Sequence, residues 1–176
     1  MSERRHKNYL LTPGPLTTSL DTREAMLFDK SPNSPEMVAM VKDIRSYLVS
    51  LVGRESEYEC VPVQGSATYG IEAAFHTLVD KTNSKVLVVE NGFYGIRLRE
   101  VLAAIGLDIV SLECPVLPPV SGNDIEECVK QNPGITHVAL CHCDTGTGVL
   151  NPLEEIYNSF LWPSILQLLS LIHISE

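Results

Sequence analysis

Short strand-like runs alternate with helical patterns along this chain, and that alternation predicts an α/β fold in which a mostly parallel sheet is flanked by helices. Lys85–Glu90, Asp108–Cys114 and Thr136–Cys143 are brief runs of strand length, rich in apolar and β-branched residues. Gly95–Ile105 and Asp124–Gln131 read as the helices between them. Punctuation sits at the joints: Asn91-Gly92 after the first strand, Gly106 after a helix, and Pro115, Pro118 and Pro119 after the second strand.

Taken in order, the first strong element opens at Ser34-Pro35. Serine can cap the free N–H groups of a helix, and proline suits its first position. Met37, Val41, Ile44, Leu48 and Leu51 then recur every three or four residues, and Gly53 is a natural stop. Tyr58–Gln64 reads as a strand and Thr68–Val79 as a helix, before the three strands named above. In a parallel sheet the functional site lies beyond the carboxyl ends of the strands. Three loops fall there: after Gln64, after Glu90 and after Cys143.

The bulk composition narrows the function. The 176 residues suit one domain or a part of a larger one, and 44% hydrophobic with 20% charged residues is ordinary for a globular chain. A net charge of −9 argues against a nucleic-acid partner, which needs clustered Lys and Arg. The one basic cluster, Arg4, Arg5, His6 and Lys7, reads as a solvated terminus. Five cysteines (Cys60, Cys114, Cys128, Cys141, Cys143) form no regular framework, which fits a reduced, cytoplasmic protein. No stretch reaches the ~18 consecutive apolar residues of a membrane span, because Pro163 interrupts the one candidate.

The three loops carry the chemistry. Gly65-Ser66-Ala67-Thr68 joins a strand to a helix with small residues and two hydroxyls. Such a turn can cradle a phosphate on the free N–H groups of the helix's first turn, although it is also simply a good N-cap. Asn91-Gly92-Phe93-Tyr94-Gly95-Ile96-Arg97 sets two aromatics between glycines, and Tyr94 can either lie against a flat heteroaromatic ligand or pack beneath the loop. His142-Cys143-Asp144-Thr145-Gly146-Thr147-Gly148 offers short polar side chains, followed by Asn151-Pro152. Strand alternation sends His142 away from Cys141 and Cys143, and no second Cys/His pair has zinc spacing, so no metal site is expected. His6, His76, His137 and His173 have no partner motif and read as structural or surface residues.

These loops, in this order, resemble the N-terminal part of the class V aminotransferases of pyridoxal-phosphate (PLP) fold type I. The opening Leu10-Leu11-Thr12-Pro13-Gly14-Pro15-Leu16-Thr17-Thr18-Ser19, with Ala25-Met26-Leu27 and Asn151-Pro152-Leu153, is most similar to the 2-aminoethylphosphonate–pyruvate transaminases within that class. The resemblance covers about residues 8–156. It implies the large domain of that fold, incomplete here, and a transfer of the amino group of 2-aminoethylphosphonate to pyruvate, giving phosphonoacetaldehyde and alanine. Alanine–glyoxylate and serine–pyruvate transaminases are the alternatives within the class, and a non-catalytic truncated subunit is the alternative outside it. The resemblance also implies PLP as cofactor, small-molecule partners (an amino donor and a 2-oxo acid) and a homodimer. Gly65, Ser66, Ala67 and Thr68 would hold the cofactor phosphate, Tyr94 would stack on its ring, and Thr145 would bond near the ring's phenolic oxygen. Thr12, Pro13, Gly14 and Pro15 would lie near the substrate entrance. Ala67 stands where relatives often have glycine, which would set a methyl group against a crowded cradle, and Asp144 where they often have glutamate.

PLP chemistry also needs a Schiff-base lysine and an acid against the pyridine nitrogen. In the family both follow the matched region, as does the arginine that binds the phosphonate. Here the lysines are Lys7, Lys30, Lys42, Lys81, Lys85 and Lys130, none in a strand-end loop, and no aspartate follows Asp144. The chain alone is therefore expected to be inactive. Residues 157–176 change character: they carry no charge before Glu176 and hold the only tryptophan, Trp162. The ending Leu-Ser-Leu-Ile-His-Ile-Ser-Glu resembles a translated sequencing adapter, so this stretch is expected to lie outside the family sequence. The alternative is an amphipathic helix with Ile165, Leu168, Leu169 and Ile172 on one face.

Overall fold

The computed structural model describes residues 8–12, 14–53, 56–158 and 167–172. The chain divides into two compact units, with the boundary after Gln64.

The first unit begins with a closed turn. Thr17 N donates to Leu10 O (3.1 Å), Leu10 N donates to Thr17 Oγ1 (2.7 Å), and the Thr12 hydroxyl donates to Pro15 O. Helix α1 (Leu20–Ala25) is capped by Ser19, whose Oγ accepts from Thr22 N at 3.2 Å. Helix α2 (Pro35–Val52) forms where the sequence places it: Ser34 Oγ accepts from Met37 N at 3.2 Å, Pro35 stands in the first turn, and Gly53 closes the helix at φ 70°. Its apolar stripe is not buried, since Val41, Ile44, Leu48 and Leu51 are all exposed. Local caps, rather than burial, mark the ends of this helix.

The strand expected over Tyr58–Gln64 is not one. No strand among the described residues bonds to the segment, and Pro62 has no N–H to give to a ladder. It is tied to α2 by a side chain instead: Arg45 Nε donates to Cys60 O (2.7 Å) and Arg45 Nη2 meets Glu59 Oε2 (2.6 Å).

The second unit follows the predicted alternation, with α3 (Ala67–Leu78), β1 (Lys85–Glu90), α4 (Phe93–Ala104), β2 (Asp108–Glu113), α5 (Gly122–Gln131) and β3 (His137–Asp144). The strands lie in the order β2-β1-β3, all parallel. Two further elements come next, neither visible in the sequence. Strand β4 (Val149–Leu150) turns back antiparallel on β3, and α6 (Leu153–Asn158) follows it. Residues 167–172 form β5 (Gln167–Ile172), parallel to β3. A strand thus replaces the helix considered there, and Ile165 lies outside the described residues.

Both faces of the sheet are covered, as parallel sheets require. Val86, Val88 and Ala139 pack against Phe75 and Val79 at the end of α3 and Leu98 and Leu102 of α4. Leu87, Val89, Val138 and Leu140 pack on the other face against Ile125 of α5 and Ile156 of α6. Val86, Leu87, Val88 and Val89 are completely buried. Leu87→Ala should therefore lower the unfolding free energy by about 2–5 kcal/mol in urea denaturation. Leu150→Ala, at an exposed position on β4, should stay within about 0.5 kcal/mol of the parent protein.

Candidate active site

The site is assembled where β1 and β3 end and where α3 and α4 begin. Helix α4 starts almost at once after β1, because Gly95 lets its first turn lie on the strand. A Cβ at Gly95 would stand 2.6 Å from Val89 O and 3.0 Å from Glu90 Cα, both backbone atoms that cannot give way. The helix therefore begins at Phe93, two residues earlier than the sequence indicates, and Tyr94 belongs to its first turn rather than to a loop. The Tyr94 and Phe93 rings meet edge to face, with centroids 5.4 Å apart.

The exits of β1 and β3 are joined by two sets of buried polar contacts. Asn91 Nδ2 donates to Asn151 Oδ1 (2.7 Å), and Asn151 Nδ2 donates to Cys141 O (2.7 Å). The second set belongs to Asp144, which is 1% exposed. Its Oδ2 accepts from Tyr94 N (2.9 Å), while its Oδ1 accepts from Gly146 N (2.9 Å) and Thr147 N (3.0 Å). The Tyr94–Asp144 and Asn91–Asn151 contacts are not legible from the sequence, since their partners lie 50 and 60 residues apart. The one available hint was the short polar run around Asp144.

A cleft of about 490 Å³ opens between α3 and α4 over the face of the sheet. Ala67, Thr68 and Ile71 form one wall, Tyr94 and Leu98 the other, and Cys141 of β3 reaches it from the sheet. Its size is that of a small-molecule site. At its mouth Arg97 pairs with Glu100 (3.2 Å), both half-exposed. Among the described residues no lysine lines it; Lys30, Lys85 and Lys130 pair with Glu36, Asp108 and Glu126 respectively.

The N-terminus of α3 differs from those of α1, α2 and α5. Ser19, Ser34 and Ser121 each accept a backbone N–H of the helix they open, whereas the Ser66 side chain makes no capping bond. The first N–H groups of α3 are thus without a side-chain cap, beside the cleft wall formed by Ala67 and Thr68.

The predicted site residues are placed as follows. Ala67, Thr68 and Tyr94 share the cleft, and Gly65 and Ser66 immediately precede it along the chain. Ala67 is exposed, so its methyl group meets no crowding here. Thr145 is half-buried in the turn after β3 and is not part of the cleft lining. Thr12, Gly14 and Pro15 belong to the first unit, and Pro13 lies outside the described residues. No group of three metal-ligating side chains occurs among the described residues, and no helix among them is long and apolar enough to cross a membrane.

Known proteins share this architecture. The pyridoxamine–pyruvate aminotransferase of Mesorhizobium loti superposes with a TM-score of 0.72 at 22% identity, over 89% of this chain and 39% of its own. A subgroup IV aspartate aminotransferase of Thermus thermophilus gives 0.73 at 25% identity, over 87% and 42%. The fold is that of the PLP-dependent aminotransferases. Sequence similarity is closer to one group. Proteins named 2-aminoethylphosphonate–pyruvate transaminase are 43% identical over 147 residues in Pseudomonas putida, 42% over 156 in Pseudomonas aeruginosa and 45% over 147 in Cupriavidus necator. These alignments cover 84%, 89% and 84% of this chain, and 40%, 42% and 39% of the relatives. The chain is homologous to the 2-aminoethylphosphonate–pyruvate transaminases and spans about 40% of the length of the curated relatives it matches. No protein-family model matches it.

Cys141 offers a chemical test of the cleft floor. Burial, with smaller contributions from Asp144 and Cys143, pushes its thiol from 9.0 up to about 11. Folding thus favours the neutral thiol; the stability this lends is complete below pH 9 and is lost as pH rises to about 11. At pH 8 the folded protein should hold roughly a hundredfold less Cys141 thiolate than the chain in urea. Iodoacetamide labelling followed by peptide mass analysis should show that contrast, with native labelling accelerating toward pH 11.

Proposed function

We propose that this chain supplies the cofactor-seating part of a PLP-dependent aminotransferase that moves the amino group of 2-aminoethylphosphonate to pyruvate, yielding phosphonoacetaldehyde and alanine. The observation that carries the cofactor reading is the shared cleft. There an uncapped helix N-terminus and an aromatic ring face the same small-molecule space. The identity of 42–45% to relatives of that name supports the substrate pair.

The residues fit the group in its phosphate and ring parts. The N–H groups at the start of α3, with the Ser66 and Thr68 hydroxyls, would hold the phosphate at the positive end of the helix dipole. Tyr94 would lie against the ring, and the apolar wall of Ile71 and Leu98 would keep water from that side. When bound, PLP supplies an electron sink for breaking the C–H bond beside the donor's amino group. The cleft fits less well for proton transfer: its one carboxylate, Glu100, is half-exposed and paired with Arg97. The reading therefore includes a division of labour, in which this chain alone binds the cofactor without turnover.

PLP should bind at least about tenfold more tightly than pyridoxal, because the phosphate makes charge-assisted bonds worth about 1.5–3 kcal/mol each. Ser66→Ala should remove about 1 kcal/mol of that preference. Absorbance titration measures both. Borohydride treatment with PLP present should modify no lysine stoichiometrically, and no alanine should form from pyruvate. Equal affinity for pyridoxal and PLP would overturn the proposed seat.

A further inference from the structure

We infer that Asp144 is the positioning residue of the cleft: a helix cap supplied from β3 that fixes where Tyr94 stands. This rests on the reading that Tyr94 faces the bound cofactor. Helix α4 has Gly92 at its N-cap position and therefore no capping side chain of its own. An uncapped N-terminus would leave the first turn free to fray. The Asp144 carboxylate takes the missing role by accepting Tyr94 N, the N–H of the very residue whose ring lines the cleft. A buried anion at a helix N-terminus is also favoured by the dipole.

The second oxygen of the same carboxylate fixes the opposite loop by accepting Gly146 N and Thr147 N. The two oxygens therefore serve two segments, α4 and the turn after β3, and neither segment can shift without breaking a bond to a side chain that is 1% exposed. The seat has no slack. A Cβ on Gly92 would stand 2.5 Å from Asp144 Oδ2, and one on Gly146 would stand 3.1 Å from Asp144 Oδ1. Glycine at 92 is thus required by the carboxylate rather than by its backbone angles, since its φ of 176° is ordinary extended backbone. The Asn91–Asn151 pair adds a second tie at the same β1 exit, three residues before Tyr94.

Asp144→Asn tests the assignment in the full chain. An amide can accept from one of the two segments, but it turns an N–H toward the other. Amide exchange at Tyr94, or at Gly146 and Thr147 together, should quicken by on the order of tenfold or more. The circular-dichroism band of bound PLP near its own absorption should collapse, because the ring beside it has lost its fixed position. The preference for PLP over pyridoxal should change by less than about threefold, since that preference belongs to α3. Gly92→Ala displaces the carboxylate without removing it and should give the same spectral loss, which keeps the test open if Asp144→Asn does not fold. Unchanged exchange and an unchanged band in both variants would overturn the inference, as would a loss of phosphate preference as large as that of Ser66→Ala. If the parent protein binds no PLP, the proposed function fails, while amide exchange in the two variants still decides the role of Asp144.

Discussion

Everything at the site is referred to β1, the strand enclosed on both faces. Four consecutive aliphatic residues, Val86 to Val89, lose all contact with water. Each such burial is worth about 1.5–3 kcal/mol, so the position of this strand is the least negotiable feature of the sheet. Because β1 pairs with β2 on one side and β3 on the other, its end is fixed laterally as well. Gly95 then transfers that rigidity to α4 by letting backbone touch backbone. Tyr94, one residue earlier, inherits a position set by the core rather than by a loop. A ring that must meet a ligand face with ångström accuracy is best placed on such an element.

Capping divides α3, α4 and α5 of the second unit into two kinds. Helix α5 satisfies its own N-terminus through a reciprocal box between Ser121 and Asp124, and it lies away from the cleft. Helices α3 and α4, which form the cleft walls, have no cap from the residue that opens them. Their solutions differ. Asp144 completes α4 from across the sheet, whereas no side-chain cap completes α3. The asymmetry has a chemical meaning: a carboxylate already occupies the positive end of α4, so an anionic ligand would be repelled there and accepted at α3. The two helix ends thus give the cleft a direction, which in the proposed function sets the phosphate at Ser66 and the ring at Tyr94.

Much of this was legible locally. β1, β2 and β3 announce themselves as short apolar runs, and Ser34-Pro35 with Gly53 brackets α2 almost to the residue. What failed had a non-local cause. Tyr58–Gln64 has the composition of a strand, but a strand exists only through a partner, and the described residues offer none. The start of α4 at Phe93 is hidden by the turn signal Asn91-Gly92, whereas Asp144 caps the helix there from another segment. The two residues of β4 are too few to leave a periodic signal, and they exist because the turn after Asp144 folds back on β3. At the cleft, Thr68 and Tyr94 stand out in the sequence because a hydroxyl and an aromatic ring are in their own side chains. Asp144 could be listed but not assigned, because its role lies in backbone groups on two other segments.

Under the proposed function, seating a cofactor and turning it over are separable demands. The seat asks for an uncapped helix, a fixed ring and a dry wall, all of which come from residues 65–147 folding around one sheet. Turnover asks for an amine and an acid that touch the ring from within the cleft. Among the described residues, the cleft lining holds no lysine, and its one carboxylate, Glu100, is paired with Arg97 at the mouth. The packing of β1 and the Asp144 cap use neither member of that pair: the ties around Tyr94 run between β1, α4 and the exit of β3. The cleft and the ties around Tyr94 therefore form from the second unit alone. Under the proposed function, affinity for the cofactor and turnover would then answer to different parts of the sequence.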